Sequence, residues 1–248
     1  MKEFVIFTLI GFIAQLVNGS LGMAYGMISM SFLLTFGIPP LMANATVQVT
    51  KLFSAAVSTV SHWKFGNVDY QTFIRLAAAG VAGSLGGSLL AVSLPNTILT
   101  PLIAVYLFFM GLRILHQCLK HTPPHTHIMP KVMPLGALGG FLNALGGAGW
   151  GPVTTSTLLA NASNPRLTIG TVSAAELFVS IAAAIVLISH IQFANLQMEI
   201  VLGLIVGGMC AAPLAAYLTG HLPTRTLTGA ISLLIMFLSV SMVMSVLA

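Results

Sequence analysis

Charged side chains are scarce in this chain of 248 residues, of which only 5% are Asp, Glu, Lys or Arg. Soluble domains carry about a quarter charged residues, whereas 57% of the residues here are hydrophobic. Water cannot solvate most of a surface that is so poor in charge, so the composition excludes an ordinary soluble protein. It predicts an all-α, polytopic integral membrane protein with the lipid bilayer as its solvent.

The chain also has only four acidic residues and two cysteines. So few carboxylates, without HExxH, GxSxG or P-loop motifs, speak against an enzyme and against an ATP-driven pump. Cys118 and Cys210 lie far apart without CxxC spacing, which supports neither a disulfide framework nor a structural zinc site. We therefore expect no enzymatic activity, no cofactor and no metal.

The net charge is +5, but the basic residues mostly stand at the ends of apolar segments, where they report topology. They form no patch interleaved with aromatic residues, so nucleic acid is not an expected partner. The distribution of Lys and Arg satisfies the positive-inside tendency for parallel and for inverted repeats, and both arrangements remain open. The N-terminal apolar run is too long for a cleaved signal peptide and is expected to be the first membrane segment.

The same landmarks occur twice in the chain, at a nearly constant separation. Gly140-Phe141 follows Gly11-Phe12 by 129 residues, and His190 follows His62 by 128. Internal repeats with interrupted apolar segments are typical of secondary transporters. We predict two membrane repeats, residues 1–115 and 133–248, joined by a cytoplasmic linker at 116–132.

About eight hydrophobic segments are predicted, four in each repeat. Their ranges are 4–37, 41–61, 72–93, 97–115, 133–160, 168–189, 198–219 and 226–247. The linker contains histidines that could bind a metal, but prolines separate them and no acidic ligand stands nearby. We therefore favour a plain cytoplasmic loop for His116, His121, His125 and His127.

The first segment of each repeat carries a glycine-rich interruption. Residues 4–37 would extend about 51 Å as one helix, against about 30 Å of hydrocarbon. Glycines between Asn18 and Gly26, and again between Gly146 and Pro152, favour a broken or re-entrant segment. Freed backbone N–H groups at such a break would favour an anion. Close packing of helices through small residues is the alternative.

Two ionisable residues, Lys51 and Glu176, lie deep inside apolar segments at equivalent positions, 125 residues apart. A charge inside the bilayer is costly and marks a substrate pathway, a proton relay or a structural ion pair. We expect proton coupling at Glu176, with His62 and His190 as protonatable groups near the segment ends. The predicted substrate-binding residues come from the two interruptions and from the polar face around Lys51: Asn18, Ser20, Gln48, Lys51, Gly147, Gly149, Trp150 and Thr154.

Three features resemble the TauE/SafE sulfite exporter family, which also includes the toluene-sulfonate uptake permeases. They are the Gly-Phe opening before a glycine-rich interruption, the Pro-Pro-x-x-Ala-x-Ala-Thr stretch from Pro39 to Thr46, and the His-x-x-x-Gly-Asn-Val-Asp run from His62 to Asp69. The resemblance extends over essentially the whole chain. It implies a multi-pass inner-membrane carrier for sulfite, organosulfonates or related anions, in either direction. The first interruption is poorer in glycine than the family pattern, and Lys51 is not part of that pattern.

The leading prediction is a secondary transporter that moves a small sulfur-containing anion, with protons as an expected coupling ion. A membrane-embedded assembly or interaction protein is one alternative, and a channel without carrier activity is another. The buried charges speak against a scaffold, because a scaffold has little use for them. A homo-oligomer is compatible with the sequence.

Overall fold

The computed structural model describes residues 2–119, 131–161, 165–191 and 196–218, together with 233, 235–237 and 240. Every regular element in these ranges is helical, which confirms the all-α prediction. The elements are α1 (Lys2–Leu21), α2 (Tyr25–Thr35), α3 (Pro40–Lys64), α4 (Tyr70–Ser93), α5 (Asn96–Leu119), α6 (Val132–Gly146), a π-helical turn (Gly151–Thr155) that leads into α7 (Ser156–Asn161), α8 (Pro165–Ile191) and α9 (Met198–Leu218).

Five of the described helices are long and apolar enough to cross a membrane: Lys2–Ser20, Tyr70–Ser93, Asn96–Arg113, Arg166–Ile191 and Met198–Tyr217. Helix α3 has 25 residues, which corresponds to about 37 Å. It falls outside this group because polar residues run along one of its faces. The predicted segment 226–247, apart from five of its residues, and the linker residues His121, His125 and His127 lie outside the described residues.

Both predicted interruptions are present as breaks in the helices. Helix α1 ends at Leu21, and the chain passes through left-handed φ angles of 71° at Gly22 and 103° at Ala24 before α2 begins. Helix α6 ends at Gly146, Gly147 has a φ of 72°, and the helix resumes at Trp150. Glycine adopts left-handed angles without a steric penalty, so Gly22 and Gly147 are suited to end their helices.

The helices pack in the order α1, α9, α3, α8, α4, α6, each against the next. The two outer pairs approach closely through glycine. A Cβ atom on Gly207 of α9 would overlap the carbonyl oxygen of Thr8, and one on Gly87 of α4 would overlap that of Phe141. Small residues allow such close backbone contact between membrane helices. The pairs α1–α9, α3–α8 and α4–α6 each join a helix from residues 1–115 to one from residues 133–248.

Candidate functional site

A buried ion pair joins the middle of α3 to the middle of α8. Lys51 Nζ lies 3.2 Å from Glu176 Oε1, and the two residues are only 3% and 6% exposed. Removing two charges from water is unfavourable, and their attraction offsets this only where further hydrogen bonds satisfy both groups. The surroundings of the pair therefore decide whether it is stable.

Two asparagines supply those hydrogen bonds. Asn143 Oδ1 on α6 accepts a bond of 2.8 Å from Lys51 Nζ, and Asn18 Nδ2 on α1 donates one of 3.3 Å to Glu176 Oε2. Lys51 Nζ also donates to the carbonyl oxygen of Gly147 at 3.4 Å. Each asparagine stands four residues before the left-handed glycine that ends its helix. The last turn before each break is thus directed at the ion pair.

A small cavity lies beside the pair, with room for about one water molecule. Lys51, Glu176 and Asn18 line one part of it, and the two breaks line the rest through Ala24, Gly26 and Met27 at the start of α2 and through residues 148–152. The first N–H groups of a helix lack partners within that helix and form the positive end of its dipole. The start of α2 and the Lys51 ammonium group therefore make the cavity favourable for an anion, and Glu176 supplies the negative charge among its lining residues.

Toward the N-terminal end of α3, the site is closed by amide side chains that satisfy one another. Gln48 Nε2 donates to the carbonyl oxygen of Asn143 at 2.9 Å, and Asn143 Nδ2 donates to Gln48 Oε1 at 3.3 Å. Asn44 Nδ2 donates to the carbonyl oxygen of Ala144 at 2.7 Å. These bonds hold the end of α6 against α3, and so they fix the position of Asn143 beside Lys51.

The structure brings together most of the predicted substrate-binding residues. Asn18, Lys51, Gly149 and Trp150 line the cavity. Gly147 reaches Lys51 through its carbonyl group, and Gln48 reaches it through Asn143. Trp150 Nε1 also donates to the carbonyl oxygen of Val172 at 2.9 Å, which ties the second break to α8.

Ser20 and Thr154 are placed differently from the other predicted residues. The Ser20 hydroxyl donates to the carbonyl oxygen of Leu16 at 2.5 Å, and the Thr154 hydroxyl donates to that of Trp150. Neither residue lines the cavity. Both hydroxyls are instead used within their own helical segments, which is a common arrangement for Ser and Thr in apolar surroundings.

The two histidines predicted for proton coupling lie in opposite environments. His62 is fully buried at the end of α3, and its Nδ1 lies 3.4 Å from Asn67 Nδ2. His190 is exposed, and its Nδ1 lies 2.9 Å from the carbonyl oxygen of Val186 on its own helix. Equivalent positions in the sequence have thus become one interior and one surface imidazole.

Sequence reasoning did not identify Asn143, the residue with the shortest hydrogen bond to Lys51. A signal was available, because Asn143 follows Asn18 by 125 residues, the separation between Lys51 and Glu176. Six further lining residues were also not among the predicted binding residues: Ala24, Gly26, Met27, Ala148, Gly151 and Pro152. They were overlooked because apolar residues and glycines next to a break resemble ordinary packing residues.

Comparisons with known proteins match the chain to one family and to probable membrane transporters. The model of the family described as Sulfite exporter TauE/SafE matches residues 7–242. The chain is 39% identical over 228 residues to the Probable membrane transporter protein YtnM of Bacillus subtilis (strain 168), covering 88% of this chain and 75% of that protein. It is also 31% identical over 148 residues to the Probable membrane transporter protein ORF9 of Sinorhizobium sp. That match covers 57% of this chain and 53% of the Sinorhizobium protein.

No solved structure matches the chain. The family match contains both helix breaks and both members of the buried ion pair. The chain therefore belongs to the TauE/SafE sulfite exporter family and is a multi-pass membrane transporter.

Proposed function

We propose that this protein is a secondary carrier that moves a small sulfur-containing anion, such as sulfite or an organosulfonate, across the inner (plasma) membrane together with protons. The family description supports a sulfur-containing anion. The observation that carries the proposal is the buried Lys51–Glu176 pair at a cavity lined by two helix breaks. Buried ionisable groups and broken helices at mid-membrane are the usual elements of a substrate site in secondary transporters.

In this proposal the transported anion takes the place of the Glu176 carboxylate at Lys51. The Lys51 ammonium group already holds a carboxylate oxygen at 3.2 Å, and an oxygen of sulfite or a sulfonate carries a similar charge. Two anions around one buried ammonium group repel each other, so Glu176 binds a proton when the substrate arrives. Glu176 Oε2 can still accept its hydrogen bond from Asn18 when the carboxyl group is neutral.

The cavity has to widen to admit such an anion, because its volume is enough for only about one water molecule. We infer that the breaks at Gly22 and Gly147 provide this movement, since short non-helical segments absorb the backbone rotation in many gating motions. The cavity walls formed by the start of α2 and by residues 148–152 would then move relative to the ion pair.

We further infer that the chain has eight membrane segments in two repeats, residues 1–115 and 133–248. Three pairs of residues support this arrangement because they surround the same cavity region and have the same separation of 125 residues. These pairs are Asn18 and Asn143, Gly22 and Gly147, and Lys51 and Glu176.

Flux into proteoliposomes tests the proposal. The panel consists of sulfite, thiosulfate, taurine, sulfoacetate and simple carboxylates, each with and without a pH gradient. We expect flux of at least one sulfur-containing anion, faster when protons move down their gradient in the same direction. Lys51→Met should abolish this flux, and Glu176→Gln should remove its dependence on the pH gradient.

Lys64→Met is the matched control, because Lys64 belongs to the same helix but is exposed at its end. It should transport like the unmodified protein. Flux of none of these anions under either condition would overturn the proposed function. Equal flux in Lys51→Met and Lys64→Met would overturn the role given to Lys51.

A further inference from the structure

We infer that protons reach Glu176 from the C-terminal end of α3, along a buried polar track between α3 and α8 formed by His62, Ser58 and Ser173. We call these three residues the His62 track. This inference rests on the proposed function, because it concerns the proton that accompanies the anion. The inference specifies the end of α3 from which that proton enters and the residues that conduct it to Glu176.

The helix geometry places all three residues between the ion pair and the loop after α3. Helices α3 and α8 run in opposite directions, since Lys51 meets Glu176 midway while the backbone N–H of Asp69, beyond the end of α3, donates to Thr171 Oγ1 at 2.8 Å. Ser58 and His62 follow Lys51 by seven and eleven residues. On a helix these positions share one face and lie about 10 and 16 Å along the axis.

Ser173 belongs to the same interval on the facing helix. It precedes Glu176 by three residues, so it lies on the Glu176 face of α8, on the side toward Thr171 and the loop after α3. The track thus leads from the end of α3 to the carboxyl group with hydroxyl groups from both helices.

The three track residues are buried, at 1% exposure for Ser58, 0% for His62 and 2% for Ser173. Ser58 Oγ and Ser173 Oγ have no hydrogen-bond partner within reach, whereas the His62 ring lies against the Asn67 amide and the Gly19 backbone. Buried polar atoms without partners are rare in proteins and call for a functional explanation or for bridging water. A path that passes protons through hydroxyl groups, an imidazole and water accounts for the two unpartnered serine hydroxyls between the ion pair and His62.

Along the described residues of α3 and α8, the opposite direction from the ion pair offers no comparable route. Toward the N-terminal end of α3, the side chains of Asn44, Gln48 and Asn143 are occupied by hydrogen bonds to each other and to the end of α6. Ser180 Oγ on α8 also lacks a partner, but it is followed by the apolar run 181–188. Among the described residues of α3 and α8, the buried polar atoms without partners therefore lie mainly on the His62 side of the ion pair. Others, such as Tyr25 OH and Ser29 Oγ, belong to α2.

The titratable and charged groups around the track are few. Lys51 from α3 and Tyr25 from α2 face Glu176, whereas α1 and α6 contribute the amides already described. The His62 ring faces the Asn67 amide and lies close to the backbone of Gly19. Lys64 and Asp69 near this end are exposed. A neutral imidazole has one nitrogen that donates and one that accepts a hydrogen bond, so His62 can pass a proton onward at the entrance of the track.

His190 provides a natural comparison because it stands at the corresponding place in the second half. It follows Glu176 by 14 residues, about 21 Å along α8, and the apolar run 181–188 lies between the two. Its imidazole is exposed and contacts its own helix. His190 therefore has no polar connection to Glu176, and we place proton entry on one side only.

Two assays on the full chain in proteoliposomes separate proton entry from anion binding. The first is net uptake of the best-transported anion of the panel under a pH gradient. The second is exchange of the same anion at equal pH on both sides, which requires no net proton movement. His62→Gln should slow the pH-driven uptake by at least about tenfold, the scale of a lost proton-transfer group. Anion exchange should stay within about twofold, because His62 does not line the cavity.

His190→Gln should match the unmodified protein in both assays, and Ser58→Ala and Ser173→Ala should each slow the pH-driven uptake with exchange preserved. Equal pH-driven uptake in His62→Gln and the unmodified protein would overturn the inference, and so would equal losses in His62→Gln and His190→Gln. If His62→Gln disturbs folding and loses exchange as well, unchanged pH-driven uptake in both serine variants would overturn it. Absence of exchange and of uptake in the unmodified protein would instead overturn the proposed function.

Discussion

Lys51 and Glu176 are stable in the interior of the bundle because each neutralises the other. Their two asparagine partners add hydrogen bonds to each charge. Removal of one partner leaves the other charge buried and unpaired, which costs about 3–5 kcal/mol in comparable sites. Removal of both charges leaves no unpaired charge in the interior, so this cost does not arise.

At this scale we predict that the double variant Lys51→Met/Glu176→Gln unfolds at a higher temperature than either single variant. Thermal unfolding in one detergent, followed by circular dichroism, measures the three midpoints. Lys64→Met again serves as the control and should unfold like the unmodified protein, since Lys64 is exposed. Additive losses in the double variant would show that the two charges do not stabilise each other.

The sequence is least informative about which single residues become buried. The offset of 125 residues placed Lys51 and Glu176 at equivalent positions, but their contact depends on the packing of α3 against α8. His62 and His190 occur in similar local sequences, yet only His62 is covered by neighbouring segments. Contacts between residues distant in sequence decide such cases, and local composition does not encode them.

Among the helices, the breaks could be predicted and the packing partners could not. Gly22 and Gly147 end their helices at left-handed angles that glycine tolerates best, which is a local property that the sequence reveals. The pairing of α1 with α9 and of α4 with α6 depends on surface shape over several turns. The glycines that permit these contacts are visible in the sequence, but their partners are not.

The α4–α6 contact yields a prediction from two adjacent glycines of one helix. A Cβ on Gly87 would overlap the backbone of Phe141, whereas one on Gly86 would lie 3.8 Å from the Phe141 ring, an ordinary contact. We expect Gly87→Ala to destabilise the protein by about 1–3 kcal/mol through overpacking. Gly86→Ala should be neutral or slightly stabilising, because alanine favours helix.

Thermal unfolding of the two alanine variants in the same detergent provides the measurement. The helix propensity changes equally in both, so the difference between their midpoints isolates the helix contact. Equal midpoints would contradict the close approach of α4 and α6 at Gly87.

In the part of the chain that the structure describes, the main helix contacts cross between residues 1–115 and 133–248. Helix α1 packs on α9, α3 on α8 and α4 on α6, so each half covers the apolar faces of the other. The ion pair and both of its asparagine contacts also cross this boundary. Neither half contains a complete site.

We therefore predict that a chain divided between residues 120 and 130 assembles when both parts are expressed together. A tag on the first part should retrieve the second part in a stoichiometric complex, and the complex should bind or exchange the same anion as the intact chain. Expressed alone, each part should aggregate or be degraded, because large interhelical faces are left uncovered. Two parts that purify separately as well-behaved species would contradict this interlocked arrangement.

The position of Trp150 has a practical consequence. The chain has two tryptophans, and Trp150 is 1% exposed at the cavity while Trp63 is 51% exposed at the end of α3. Trp63→Phe would leave Trp150, at the cavity beside the ion pair, as the single tryptophan, which can be excited selectively over the four tyrosines. Its emission wavelength would then report the polarity of the cavity, so occupancy and opening could be followed in real time without a label attached to the protein.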